Sequence, residues 1–299
     1  MVKTAVIDIG SNTLLLLIVD EQRTRVVDLC RFGRLGKGLD GTGRLDADAI
    51  AKSLEICREY RAVMNEHGVT TPHVIATQAL REAKNAAEFV EPAQQILGAQ
   101  IEIIDGPREA QLAYLSVART FPELEGTRYV VVDVGGGSTE LITAGKTGVV
   151  SAVSIPIGAV RLTERHLKTD PPAIGEVLGL DDDIDGQLAK LDLPANVPII
   201  GTAGTATTMA AIVLELETYD PDVVTGIRLA PEKVDQLRQR LMKATTEQRR
   251  AIPGIEPERA DVIAAGVAIY HRVMHRIGAP VLITCDRGIR WGLIYELVK

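Results

Sequence analysis

The 299-residue chain is 46% hydrophobic and 24% charged, an ordinary globular composition with enough material for two domains. Its net charge of −7 argues against a general nucleic-acid binder, which needs a basic face. The early apolar run from Leu14 to Val19 is too short to span a bilayer and lies between Asp8 and Asp20; with no signal peptide in view, a cytoplasmic protein without a membrane partner is expected.

In chain order, AVIDIG at 5–10, the polar Ser11-Asn12-Thr13 and LLLLIVD at 14–20 predict strand, tight turn, strand. Arg31, Arg34 and Lys37 then form a basic stretch with no acid among them. Asp46 to His67 predicts an amphipathic helix, with Ile50, Leu54 and Cys57 at helical spacing. Short strands are expected at 73–77 and 101–104. A helix is expected over 107–120, entered just after Gly106 with proline in its first turn. Residues 122–126 read as a boundary. Beyond them come strands at 130–145, 149–155, 197–201 and 281–283, and helices over 173–190, 204–216, 231–243, 258–277 and 288–298. The acidic run Asp181, Asp182, Asp183 and Asp185 reads as a solvated loop before a helix.

The first unit recurs. VVVDVGGGSTELITAG at 130–145 repeats the opening pattern at an offset of 125 residues (133 − 8), which sets Asp133 on Asp8, Gly135 on Gly10 and Ser138 on Thr13. Two copies imply a duplicated α/β architecture. Glycine lets a backbone approach a phosphate with its N–H groups. The turn Gly10, Ser11, Asn12, Thr13 and the turn Gly135, Gly136, Gly137, Ser138, Thr139 are therefore candidate phosphate loops. An ordinary hairpin turn explains the first alone equally well. Asp8 and Asp133 end apolar strands, where a carboxylate either serves a hard cation such as Mg²⁺ or caps its own turn. Gly201, Gly204 and Thr205 lie where a strand meets a helix N-terminus, a candidate nucleotide- or substrate-binding segment.

These residues resemble the exopolyphosphatase/guanosine pentaphosphate phosphohydrolase (Ppx/GppA) family over nearly the whole chain. The motifs are DIGSNT (8–13), RLGKGLD (34–40), ATQALREAKN (76–85), IDGPREA (104–110), VVDVGGGSTEL (131–141), SIPIGAVRLTE (154–164), IIGTAGTATT (199–208) and RADVIAAG (259–266). The resemblance implies an actin-like (ASKHA) fold of two ribonuclease-H-like domains, 1–124 and 125–299, with an interdomain active-site cleft and a last helix able to pack back on the first domain. It implies that Glu109 activates the attacking water, that Arg81 holds substrate phosphate, and that Asp133 and Glu140 serve a divalent metal; Asp8 joins them as a metal candidate on its strand-end position alone. It further implies inorganic polyphosphate or guanosine pentaphosphate as substrate, and is compatible with a homodimer.

Three positions depart from the family pattern. Gln78 stands where a small hydroxyl residue is common, Arg108 replaces an acid before Glu109, and Trp291 replaces a frequent glutamate. Arg108 either adds positive charge for a long polyanion or points to solvent. An actin-like ATPase or kinase and a non-catalytic alarmone sensor are the rival readings. The family's motif order argues against the first, and intact Glu109, Asp133 and Glu140 argue against the second. His271 and His275 lack the glutamate of a zinc-protease helix, and Ser138 has no apparent histidine partner. Cys30, Cys57 and Cys285 are odd in number and scattered, so inert thiols are expected.

Overall fold

The computed structural model describes residues 2–298. The chain divides into two compact units, Met1–Leu112 with Ile289–Lys299, and Ala113–Gly288. The first begins with β1 (Thr4–Ile9), β2 (Leu14–Val19) and β3 (Arg25–Arg31). It continues through α1 (Leu39–Thr42), α2 (Ala47–Glu66), β4 (His73–Ala76), α3 (Gln78–Glu82), α4 (Ala87–Leu97) and β5 (Ile101–Ile103). The division falls inside α5 (Gly106–Thr120). The second unit contains β6 (Tyr129–Val134), β7 (Thr139–Gly145), β8 (Gly148–Ile155), α6 (Ala159–His166), α7 (Ile174–Leu188), β9 (Ile199–Thr202) and α8 (Ala203–Val213). It goes on with α9 (Pro221–Val224), β10 (Arg228–Leu229), α10 (Pro231–Lys243), α11 (Thr246–Arg250), α12 (Ile263–Ile277) and β11 (Leu282–Thr284). Helix α13 (Ile289–Leu297) returns to the first unit.

The first sheet has strand order β3-β2-β1-β4-β5, and the second β10-β11-β9-β6-β7-β8. In each, three antiparallel strands come first and the next strand runs parallel to the first of them. This is the ribonuclease-H-like order, present twice, and it defines the actin-like fold. Even the register repeats: Asp8 pairs with Leu15 and Asp133 with Glu140, both at the offset of 125. Strands β2 and β6 are apolar almost without alternation, and both of their faces are buried.

Helix α2 shows why local sequence suffices for some elements. Asp46 caps it by accepting from the Ala49 N–H at 3.0 Å. Ile50, Ser53, Cys57, Tyr60 and Met64 recur every three or four residues and are buried. The Tyr60 hydroxyl reaches the Leu14 carbonyl at 2.7 Å, tying α2 to β2. In the second unit α12 is buried along most of its length and stops at Gly278, whose φ of 65° ends it with a left-handed cap. Its Tyr270 donates to the carbonyls of Val132 and Thr202, both at 2.8 Å, and so bridges β6 and β9.

The acidic run is not a loop. It lies within α7, where Asp181 meets Arg238 at 2.5 Å, Asp183 meets Arg165 at 2.6 Å and Asp185 meets Arg272 at 2.8 Å. The expected helix over 258–277 starts only at Ile263, after a short 3₁₀ turn at Pro257–Arg259. Among the described residues no helix is long and apolar enough to cross a membrane. Tyr270→Phe removes one donor shared by two buried carbonyls, and is expected to cost about 1–2 kcal/mol of stability in urea unfolding.

Candidate active site

In the first unit the parallel neighbours β1, β4 and β5 direct their C-terminal ends the same way, the edge where such sheets present functional loops. Off β1 comes the turn Gly10–Thr13, closed by Gly10 N–H to Thr13 C=O at 2.9 Å. The Asn12 and Ser11 carbonyls accept from Arg34 and Gly36 at 2.9 and 2.7 Å, so the basic-glycine stretch packs directly on the turn. A Cβ on Gly36 would come within 2.8 Å of the Ser11 Cβ, which is why glycine stands there. The buried Ser11 hydroxyl donates to Gln78 Oε1 at 2.8 Å.

Off β4 comes α3 and Arg81, whose Nη1 donates to the Ile104 carbonyl at 2.7 Å. Off β5 comes α5, with Glu109 in its first turn and only 8% exposed. Asp105 accepts from the Arg108 N–H at 2.9 Å and caps this turn. Arg81 Nη1 stands 3.8 Å from Glu109 Oε2. The residues expected as phosphate clamp and base are therefore neighbours. Asp8, near the end of β1, is buried beside Leu15 and Ile75. Arg108, partly exposed, makes a two-pronged ion pair with Glu296 of α13 at 2.8 and 2.6 Å. Trp291 is buried and stacks at 6.0 Å from Tyr295, so packing occupies that position.

The second unit repeats the device with other residues. Gly135 N–H closes its turn on Ser138 C=O at 3.0 Å. The Gly135 and Gly136 carbonyls accept from Ala159, Val160 and Arg161 at 2.9 to 3.0 Å, at the start of α6. A Cβ on Gly158 would sit 2.5 Å from the Gly136 and Gly137 backbone. Thr139 anchors the turn by donating to the Ile157 carbonyl at 2.7 Å.

Behind this turn a row of polar side chains crosses four strands. Thr202 pairs with Asp133, Asp133 with Glu140 and Glu140 with Ser154. Register partners project on one face of a sheet, so two carboxylates lie side by side between two hydroxyls. Ser154 donates to Glu140 Oε1 at 2.6 Å. Burial pushes the Asp133 carboxyl up to about 6, against the opposing pull of the Thr202 hydroxyl. The pair is a hard-oxygen donor set that suits Mg²⁺, an ion that keeps several waters and shares itself with phosphate oxygens. Among the described residues no group of three or more His, Cys, Asp or Glu side chains could hold a metal ion.

Gly201 is required by packing, since a Cβ there would meet Leu282, Ala206 and Tyr270 at 2.9 to 3.0 Å. Thr205 packs toward Gly266, and Gly204 lies under the Arg259 guanidinium. Ala203, just before Gly204, is left-handed, with φ 62°. Burial pushes the Cys57 and Cys285 thiols up to about 12, which makes both inert. Sequence reasoning missed Thr202 and Ser154 as neighbours of the carboxylates, although both lie inside motifs it had singled out. Only strand register shows that they flank Asp133 and Glu140.

The doubled ribonuclease-H-like order defines an actin-like protein. The chain belongs to the Ppx/GppA phosphatase family, whose model matches residues 17–299. Exopolyphosphatase 2 of Mycobacterium tuberculosis is 32% identical over 317 aligned residues, covering 99% of each chain. The crystal structure of an exopolyphosphatase-like protein superposes with a TM-score of 0.93 at 33% identity, covering 99% of both chains. The Aquifex aeolicus member of the Ppx/GppA family gives 0.81 at 33%, covering 99% of this chain and 97% of that one. An exopolyphosphatase from Cytophaga hutchinsonii gives 0.90 at 27%, covering 99% and 98%.

The raised Asp133 carboxyl has a consequence for stability. The folded protein keeps this proton up to about pH 6, whereas an unfolded aspartate releases it near 3.8. The folded state binds more protons between those values, so stability falls as pH rises through that window. In metal-free buffer Asp133→Asn should remove this penalty and stabilise the protein by on the order of 3 kcal/mol above about pH 7, with the gain shrinking toward pH 4. Denaturant unfolding at several pH values reads it out.

Proposed function

We propose that this protein is an exopolyphosphatase that hydrolyses the terminal phosphoanhydride bond of inorganic polyphosphate and releases orthophosphate in a metal-dependent reaction. The observation that carries the reading is the placement of Glu109 against Arg81, 3.8 Å apart where β4 and β5 deliver their loops. A buried carboxylate beside a guanidinium joins a proton acceptor to a clamp for phosphate oxygens. The names of the relatives support polyphosphate as the substrate class.

In this reading a water attacks the terminal phosphorus in line. Its oxygen forms the new P–O bond, the anhydride P–O bond breaks, and the shortened chain leaves with the electron pair. Glu109 orients the water and takes its proton. Arg81 is held by the Ile104 carbonyl, so its planar fork is already aimed when phosphate arrives. The backbone N–H groups at 10–13 and at 135–139 each take up phosphate oxygens. Asp133 and Glu140 would hold the divalent cation, which offsets phosphate charge when bound. Phosphoryl transfer asks mostly for positioning and electrostatics, and these groups supply both.

The test is phosphate release from long-chain polyphosphate and from guanosine pentaphosphate, each with Mg²⁺ and with chelator. Polyphosphate turnover should need the metal. Glu109→Gln should lower kcat by about 10²–10⁴-fold while sparing substrate binding. Near-native turnover in that variant would remove Glu109 from the role of base. Release mainly from the nucleotide would make the protein a guanosine pentaphosphate 5′-phosphatase.

A further inference from the structure

Gln78 is 2% exposed, and its carboxamide lies against the Gly10–Thr13 turn because Oε1 accepts from the Ser11 hydroxyl at 2.8 Å. Its Nε2 is buried and has no acceptor among the described residues. A buried amide donor left without an acceptor is costly, and native proteins seldom retain one without a use. Gln78 is the first residue of α3, directly after the Thr77 cap, and Thr77 N–H donates to the Ile9 carbonyl at 3.2 Å. The backbone bearing the amide is therefore fixed to the strand that delivers the turn. Ser11 is fixed in turn by the bond from Gly36 to its carbonyl. One end of the carboxamide is thus locked, and the other carries two N–H donors with no acceptor among the described residues.

We propose that Gln78 is a phosphate-binding residue of the first turn, its Nε2–H donating to a non-bridging oxygen of the phosphate seated on Gly10–Thr13. This rests on the phosphohydrolase reading above. A carboxamide does two jobs that one hydroxyl cannot do at this reach: it accepts from Ser11 and donates to an anion. The ligand class is a phosphate monoanion or dianion, and the contact sets affinity at the end of the chain, independent of chain length.

Gln78→Glu keeps the length and the acceptor for Ser11 but replaces the donor with negative charge. It should raise KM about tenfold to a hundredfold, by the same factor for tripolyphosphate and for long-chain polyphosphate, with kcat within about threefold of the parent. Calorimetry of tripolyphosphate on the Glu109→Gln background should show the same loss in Kd. Gln78→Met, apolar and of matching length, carries the same expectation if the buried carboxylate prevents folding. Unchanged KM and Kd in a folded Gln78→Glu or Gln78→Met protein overturns the proposal, as does an effect that scales with chain length. If the parent releases no phosphate yet binds tripolyphosphate, the hydrolase reading fails and the calorimetric arm alone decides Gln78.

Discussion

The structure depends on how closely two stretches of backbone can approach. At each glycine turn a second loop lies on the first and donates N–H bonds into its carbonyls: Arg34 and Gly36 onto 11–12, and Ala159 to Arg161 onto 135–136. Neither approach leaves room for a Cβ, at Gly36 in one unit and at Gly158 in the other. In the proposed reaction the backbone amides of these two turns are the groups that meet phosphate, as oriented amides suit an anion. On that proposal a net charge of −7 is no obstacle to a polyanionic substrate, because the local field of oriented amides outweighs a distant average.

The two units share this backbone device and differ in what they bury behind it. Asp8 has Leu15 as its register partner, whereas Asp133 has Glu140. One replacement in a duplicated frame sets Leu15 opposite the first aspartate and Glu140 opposite the second. The pair is flanked by Thr202 and Ser154 and lies on strands joined by Tyr270. The first unit instead brings Arg81 and Glu109 together on the helices that follow β4 and β5. A symmetric scaffold therefore carries an asymmetric set of side chains.

Much of this was legible in the sequence. The duplication, the α/β class and both turns follow from apolar runs broken by small polar residues, a pattern carried by neighbours along the chain. Other features depend on distant partners. Strand β3 is half exposed and holds charged residues, so it lacks an apolar run and went unseen. Helix α4 contains Pro92, which weakens its local signal. The aspartates of α7 read as solvated until Arg165, Arg238 and Arg272 arrive from other elements. The ion pair of Arg108 was not legible because its partner, Glu296, is 188 residues away. The row from Thr202 to Ser154 exists only in strand register, which sequence spacing does not report.

The membership of α13 bears on how the chain is made. Residues 289–298 pack with the first unit through Arg108–Glu296, Arg290–Asp28 and the bond from Arg23 to the Val298 carbonyl. During synthesis the first 112 residues are made long before this helix, so their unit lacks a packed element until residues 289–298 follow. The second unit is continuous, from residue 113 to residue 288, and needs no segment made before or after it. The first unit therefore depends on a segment that is made only after the whole of the second.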